Sequence, residues 1–479
     1  MGRCCLYLVG TLALLLLVTS VTLLVARVFQ KALQLHISQD IVLKNGTEAF
    51  ESWENPPSPV FMQFYFFNVT NPSEALRGET PEVEEVGPYT YRERRPRENI
   101  RFWDNGTKVS AINPKTYIFE RDLSVGDPAV DLIRTINIPT VTAMQWAKNR
   151  FLKEIIEGIL KGFQQSLFVT HSVHELLWGY KDEVLSLINA FRPDVPQYFG
   201  LFYMKNATDD GEYLFFSGGD DYLNFSRIVE WNGRTSLDWW ATKRCNMING
   251  TDGNSFHPLV TEDEDLYIFS SDFCRSVYVS FTDAVDVKGL PAFRFKIPPE
   301  ILANNSDNAG FCGPQGRCLG SGVLNISVCK DGAPIFLSAP HFYQADEKFE
   351  AAIKGLRPEK ANHETFLDIN PVTGIILRAA KRFQVNVFVQ QLDDFIETGN
   401  IKTTLFPVMY LNESVLIDDE SARKLKSVLN TVMVVTNIPY IIMALGVFLG
   451  LLFTWMACRG QGSMNEGTAD ERAPLIRTS

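Results

Sequence analysis

The residues whose types and spacing could do chemistry in this chain are histidines, cysteines and asparagines. Two of the six histidines, His171 and His174, stand three positions apart. An imidazole ordinarily titrates near pH 6.5, so such a pair could distinguish a neutral from an acidic compartment. On these residues alone, a plain surface polar pair is the favoured reading. No catalytic constellation accompanies them: there is no G-x-S-x-G, H-E-x-x-H, P-loop or G-x-G-x-x-G. His363-Glu364-Thr365 lacks a second histidine four residues on, and acidic pairs such as Asp393-Asp394 read as solvated surface. The expectation is a protein without catalytic residues or cofactor.

Cysteine usage divides the chain. Cys4, Cys5 and Cys458 border apolar runs, where S-palmitoylation and simple reduced thiols are both open readings. Cys245, Cys274, Cys312, Cys318 and Cys329 lie between those runs, in a region that the sequons below place where disulfides persist. Five is odd, so one thiol stays free or pairs between chains. Spacing alone does not choose among the ways of making two bridges from five. With no C-x-x-C and no matched histidine pair, a zinc site is not expected.

Asparagine supplies the clearest topological signal. Asn-X-Ser/Thr occurs at Asn45, Asn68, Asn105, Asn206, Asn224, Asn249, Asn304, Asn325 and Asn412. Average composition would give roughly two or three in this length. All nine fall between the two apolar runs, which marks the middle as lumenal or extracellular. Near the C-terminus, Glu471-Arg472-Ala473-Pro474-Leu475-Ile476 fits acid-x-x-x-Leu-Leu/Ile, an address that adaptor complexes read in an extended cytosolic tail.

The elements that must hold these residues begin with the apolar runs. Cys4 to Ala26 is a 23-residue stretch without a charge, and Ile438 to Cys458 is another of 21. Each can cross a hydrocarbon core of about 30 Å as a helix. Pro439, near the start of the second, is expected in a first helical turn, where it is tolerated. A cleaved signal peptide ending at Val18-Thr19-Ser20 is the alternative for the first run; signal cores of about 7–15 residues are shorter than this one, which favours a retained anchor. The flanking Arg and Lys weakly favour a cytosolic middle, and the nine sequons overrule them. The expected division is 1–3 cytosolic, 4–26 transmembrane, 27–432 a glycosylated lumenal ectodomain, 433–458 transmembrane, and 459–479 a cytosolic tail. A net charge of −11 speaks against nucleic acid as a partner.

Residues 27–45 read as helix leaving the membrane. Strand signals then dominate, from Val60–Val69 to about Asp122 and from about Tyr198 to Tyr410. Residues 143–191 break the pattern with helical period. Phe151, Leu152, Ile155, Ile156, Ile159, Leu160, Phe163 and Leu167 recur on one face; Lys153, Glu157, Lys161 and Gln164 take the other. Ser172-Val173-His174-Glu175 matches a capping box for a second short helix. A third spans Lys181 to Ala190 and stops at Pro193. The apolar arc on the first helix is wider than one packing seam needs, so part of it is expected to face a partner.

Longer stretches of text carry a resemblance. Phe64-Tyr65-Phe66-Phe67-Asn68-Val69-Thr70-Asn71-Pro72, Glu85-Val86-Gly87-Pro88-Tyr89-Thr90-Tyr91, Asn249-Gly250-Thr251-Asp252-Gly253, Gly310 to Cys329, His341-Phe342-Tyr343 and Asp368-Ile369-Asn370-Pro371-Val372-Thr373-Gly374 resemble the class B scavenger receptor family, in order and over essentially the whole chain. The tail signal is similar to that of the family's lysosomal branch. The resemblance implies an α+β fold: an antiparallel β-barrel-like ectodomain with an internal tunnel and an apical helical bundle, flanked by two transmembrane helices. It implies disulfides Cys274–Cys329 and Cys312–Cys318, with Cys245 free. It implies a receptor of the lysosomal membrane and late endosome whose helical face, carried to Leu152, Ile155 and Ile156, docks glucocerebrosidase (acid β-glucosidase). Release at acid pH is assigned to His171; a second contributor falls at Arg150, which does not titrate in this range, so the switch should be weaker or differently built. Further implied partners are clathrin adaptor complexes at Glu471, Leu475 and Ile476, cholesterol or phospholipid in the tunnel, and viruses or lipoproteins. The alternative within the family is a cell-surface scavenger receptor or lipid transporter without enzyme cargo.

Overall fold

The computed structural model describes residues 3–147, 149–312 and 318–467. The sorting motif at Glu471, Leu475 and Ile476 lies outside them. The chain forms two compact units, one built from its two ends (up to Ile37 and from Arg423) and one spanning Ser38–Ala422.

In the first unit the helices Arg3–Val25 and Asp419–Gly467 contain the stretches long and apolar enough to cross a bilayer. Glycines let them pack closely: a Cβ at Gly10 would lie 2.9 Å from the Phe453 ring, and one at Gly446 3.0 Å from Leu17, the small-residue contact favoured between helices in lipid. Pro439 differs from expectation. It sits deep inside a 49-residue helix rather than in a first turn, because the polar stretch before it is also helical. The ring therefore leaves one carbonyl in the preceding turn without its amide donor. At the other end, Arg27 at φ 51° separates Arg3–Val25 from a second helix, Val28–Asp40.

The second unit is organised by an 11-stranded antiparallel sheet. Its main path runs Leu266–Ser270, Arg275–Val287, Leu290–Lys296, Phe366–Ile369, Ile376–Val389, Thr404–Leu416, Val60–Val69, Val83–Arg94, Thr116–Phe119. Val60–Val69 alternates because its β-branched and aromatic residues fit a pleated, half-buried surface; Phe64 and Phe66 point into the core at 0% exposure. The register Phe64↔Leu411 sets it against Thr404–Leu416. Contrary to the barrel expectation, the path ends on Leu266–Ser270 and Thr116–Phe119, which do not pair with each other, so the sheet does not close. A second, four-stranded sheet is made by Ile228–Trp231, Tyr213–Phe216, Lys108–Ile112 and Glu98–Trp103.

The helical block begins earlier than its period suggested. Ile138–Trp146 starts at Asn137, whose side chain accepts the Thr140 N–H. Arg150–Gly162 follows an Asn149 cap, and Glu183–Phe191 an Asp182 cap. The apolar run does not continue as helix to Leu167. Helix ends at Gly162, and Phe168–Ser172 pairs as a strand with Leu132–Ile136, where its β-branched residues find a ladder. Cys274 is bonded to Cys329 and Cys312 to Cys318. Cys245 is free and buried. Gly310 faces it closely: a Cβ there would lie 2.7 Å from the Cys245 sulfur.

Candidate binding face and its histidines

The Arg150–Gly162 helix turns one edge of its apolar arc inward and leaves the other uncovered. Leu160 is fully buried, and Ile156 and Ile159 pack half-buried against the core cluster that holds Leu167, Phe168 and Val184. Moving around the helix, Leu152 is 38% exposed, Ile155 43% and Phe151 70%. Of the three expected docking residues, Leu152 and Ile155 are thus free to meet a partner, while Ile156 is mostly committed to holding the helix down. Ions ring the patch: Arg150 pairs with Glu154 at 3.0 Å, Glu157 with Lys161, and Lys153 with Asp394. These exposed pairs add little stability, and they frame the apolar residues with charge.

His171 lies on the Phe168–Ser172 strand, opposite Ile133. Its ring stacks on Tyr180 at 3.7 Å, and Nδ1 is 3.5 Å from Glu175 Oε2. The same carboxylate accepts the Ser172 N–H at 2.9 Å and the Ser172 hydroxyl at 3.0 Å, completing the capping box that opens Val173–Trp178. That Ser172 amide, with the hydroxyl and His171, holds the Glu175 carboxyl below its ordinary range against the opposing effect of burial. None of the described partners of His171 lies on the Arg150–Gly162 helix, and the described partner of Arg150 is Glu154. His174 is exposed and borders an aromatic cavity.

A second histidine group escaped the sequence. His341 and His363 stack on each other at 4.4 Å, both buried, with Tyr410 edge-on to each. His341 Nε2 is 2.6 Å from Glu85 Oε2, and the Tyr410 hydroxyl donates to Glu85 Oε1 at 3.1 Å. Burial raises the Glu85 carboxyl, but the His341 and Tyr410 hydrogen bonds outweigh it and hold the group below its usual range. Burial, His341 and Arg382 together lower His363 to about 4, against the opposite pull of Glu85. The three ligand atoms lie within 4.8 Å of one another, close enough to suggest a metal site. Their hydrogen bonds oppose that use. His341 Nδ1 accepts the Arg357 N–H at 3.0 Å and His363 Nδ1 accepts the Glu359 N–H at 2.9 Å. In each neutral ring the proton must therefore sit on Nε2, the nitrogen that would have to bind the ion. His341 and Phe342 both take left-handed φ, 53° and 58°, a conformation non-glycine residues rarely adopt, and nothing in the sequence marked it.

All nine sequon asparagines belong to the Ser38–Ala422 unit. Asn45, Asn105, Asn206 and Asn304 are exposed; Asn68, Asn224, Asn249, Asn325 and Asn412 are half-buried.

Comparison with known proteins places these features in context. A family model described as the CD36 family matches residues 11–457. Lysosome membrane protein 2 of Homo sapiens is 71% identical over 478 residues, covering 100% of both chains, and that of Rattus norvegicus is 70% identical over the same span. Scavenger receptor class B member 1 of Bos taurus is 36% identical over 393 residues, 79% of this chain and 76% of that protein.

Proposed function

The chain belongs to the CD36 family, and from that premise we propose that it carries glucocerebrosidase to the lysosome and releases it there at acid pH. It is a lysosomal membrane receptor and not an enzyme. Residues 4–26 and 433–458 span the bilayer, 1–3 and 459–479 are cytosolic, and 27–432 is the glycosylated lumenal ectodomain. Clathrin adaptors read Glu471, Leu475 and Ile476. The observation that carries the cargo reading is the uncovered Leu152 and Ile155 edge, bordered by the 70%-exposed Phe151: one helix presenting adjacent apolar anchors inside a charged rim, the form of a helical docking face. His171 supplies the acid response.

The test is capture of the enzyme by the full-length receptor in detergent at pH 7 and pH 5. Leu152→Asp with Ile155→Asp should abolish capture at pH 7 without lowering Tm, since both side chains are already wet. His171→Ala should flatten the difference between the two pH values. Undiminished capture by the double variant would remove the helix from the reading.

A lipid-transport activity is also proposed. A cavity of about 440 Å³ is lined by Ile301, Phe311, Phe336 and Phe388. Arg275 reaches into it, donating to the carbonyls of Ser276 and Ile301 at 3.1 and 3.2 Å, its guanidinium 3.5 Å over Phe311. Burial lowers its pKa to about 10. Among the described residues no carboxylate pairs with it. A largely apolar chamber that also holds Gln145, Asn308, Asn325 and one such cation suits an anionic amphipathic lipid.

A further inference from the structure

A separate cavity, of about 440 Å³, has walls of aromatic rings. Tyr91 and Tyr117 form its buried floor; Phe119, Trp178 and Phe202 stand half-buried around it. The rings brace each other: Tyr91 and Phe119 at 5.3 Å, Tyr91 and Trp178 at 5.3 Å, Tyr117 and Phe202 at 5.9 Å. Trp178 Nε1 donates to the Tyr91 hydroxyl at 3.3 Å. Nothing among the described residues fills this space. Such a group of π faces with two phenol oxygens matches a pyranose, which has C–H groups on its faces and hydroxyls at its edge.

The sixth lining residue that matters is Asn206, the first residue of Asn206-Ala207-Thr208. Its Oδ1 accepts the Tyr117 N–H at 3.0 Å. The segment is tied again just beyond that contact, Ala207 N–H to Lys115 O at 2.7 Å and Lys115 N–H to Thr208 O at 3.0 Å. Nδ2, the atom that takes the sugar, donates to no described acceptor, so attachment leaves this anchoring intact. Asn412 also borders a cavity, but its Nδ2 is committed to Gln63 at 2.8 Å.

We propose that the N-glycan of Asn206 seats its first N-acetylglucosamine in this aromatic pocket, closing it from within the same chain. The attachment atom is held at the rim, so the sugar meets the rings at the high effective concentration of a tethered ligand, and weak stacking suffices. The seated glycan makes the pocket unavailable to other ligands and shields the side of the Val173–Trp178 helix that carries His174. The inference rests on the lumenal reading, under which the sequon is glycosylated.

The test is site-resolved deglycosylation of the native full-length protein in detergent by peptide:N-glycosidase, read by peptide mass spectrometry. Release at Asn206 should be at least tenfold slower than at Asn105 and Asn304, which stand in the open. Phe119→Ala should bring Asn206 up to the rate of the open sites while leaving Asn304 unchanged; Phe119→Leu is the substitute if the alanine variant loses its thermal transition. Equal rates in the parent protein, or a slow rate that neither variant accelerates, would overturn the seat. So would an Asn206 that carries no sugar while Asn304 does. An absence of sugar at every site would instead remove the lumenal orientation itself, and the proposal with it.

Discussion

Two histidine corners of this molecule share a vocabulary and differ in one respect. At His171 the ring stacks on Tyr180 with Glu175 beside Nδ1. At His341 and His363 the rings stack on each other with Glu85 beside Nε2. The difference is what faces the nitrogen that would take a second proton. At His171 it is the Glu175 carboxylate. In the buried pair it is a backbone N–H, from Arg357 or Glu359; a proton arriving there must first break a hydrogen bond and then meet another donor. Proximity of an acid does not by itself make an imidazole a sensor.

The largest expected effect comes from attacking the buried corner. Glu85→Leu strands two donors, the His341 Nε2–H and the Tyr410 hydroxyl, and should destabilise the protein by about 3 kcal/mol at neutral pH. A loss below about 1 kcal/mol in chemical denaturation would mean that water takes over both bonds and that the corner is less closed than its geometry implies.

Next in size is the acid response of the pair. His363 is lowered to about 4 by burial, His341 and Arg382, with Glu85 opposing, while an unfolded imidazole titrates near 6.5. Between those values the unfolded chain binds the extra proton, so this stabilisation is complete above about pH 6.5 and is lost as pH falls towards about 4. The full shift corresponds to about 3 kcal/mol; allowing for water at the ring edge reduces this to about 2 kcal/mol. His363→Phe keeps the stack and removes the titration. It should lower neutral stability by about 1 kcal/mol, through the lost acceptor for the Glu359 N–H, and flatten the pH dependence of Tm from pH 6.5 to 4. An unchanged slope would move the acid sensitivity to another group.

These corners also mark how far the sequence could be read. The capping box beside His171 was legible because its chemistry is local: Ser172 and Glu175 lie within four residues at the start of the helix they cap. The wide apolar arc of Arg150–Gly162 was legible for the same reason, since period and burial both follow from helix geometry. The His341 corner joins residues 85, 341, 363 and 410, and no window shorter than the whole fold contains them. Phe168–Ser172 was misread as part of a helical block because its pairing partner, Leu132–Ile136, lies some thirty residues upstream. Closure of the large sheet was the least readable feature: pairing between terminal strands leaves no local mark, and Leu266–Ser270 and Thr116–Phe119 end the path unpaired with each other.

The smallest effect separates the two duties of Glu175. Its carboxylate serves as the N3 acceptor of the capping box and as the neighbour of His171. Glu175→Ala removes both and should lower stability by about 1 kcal/mol. Glu175→Gln keeps an acceptor for the Ser172 N–H, because glutamine also serves at N3, but takes away the charge facing the imidazole. Thermal stability should then stay within about 0.5 kcal/mol of the parent, while the pH dependence of enzyme capture becomes shallower. If Gln and Ala lower stability equally, the cap depends on charge and the two duties are one. If Gln leaves the capture profile untouched, the carboxylate is only a cap.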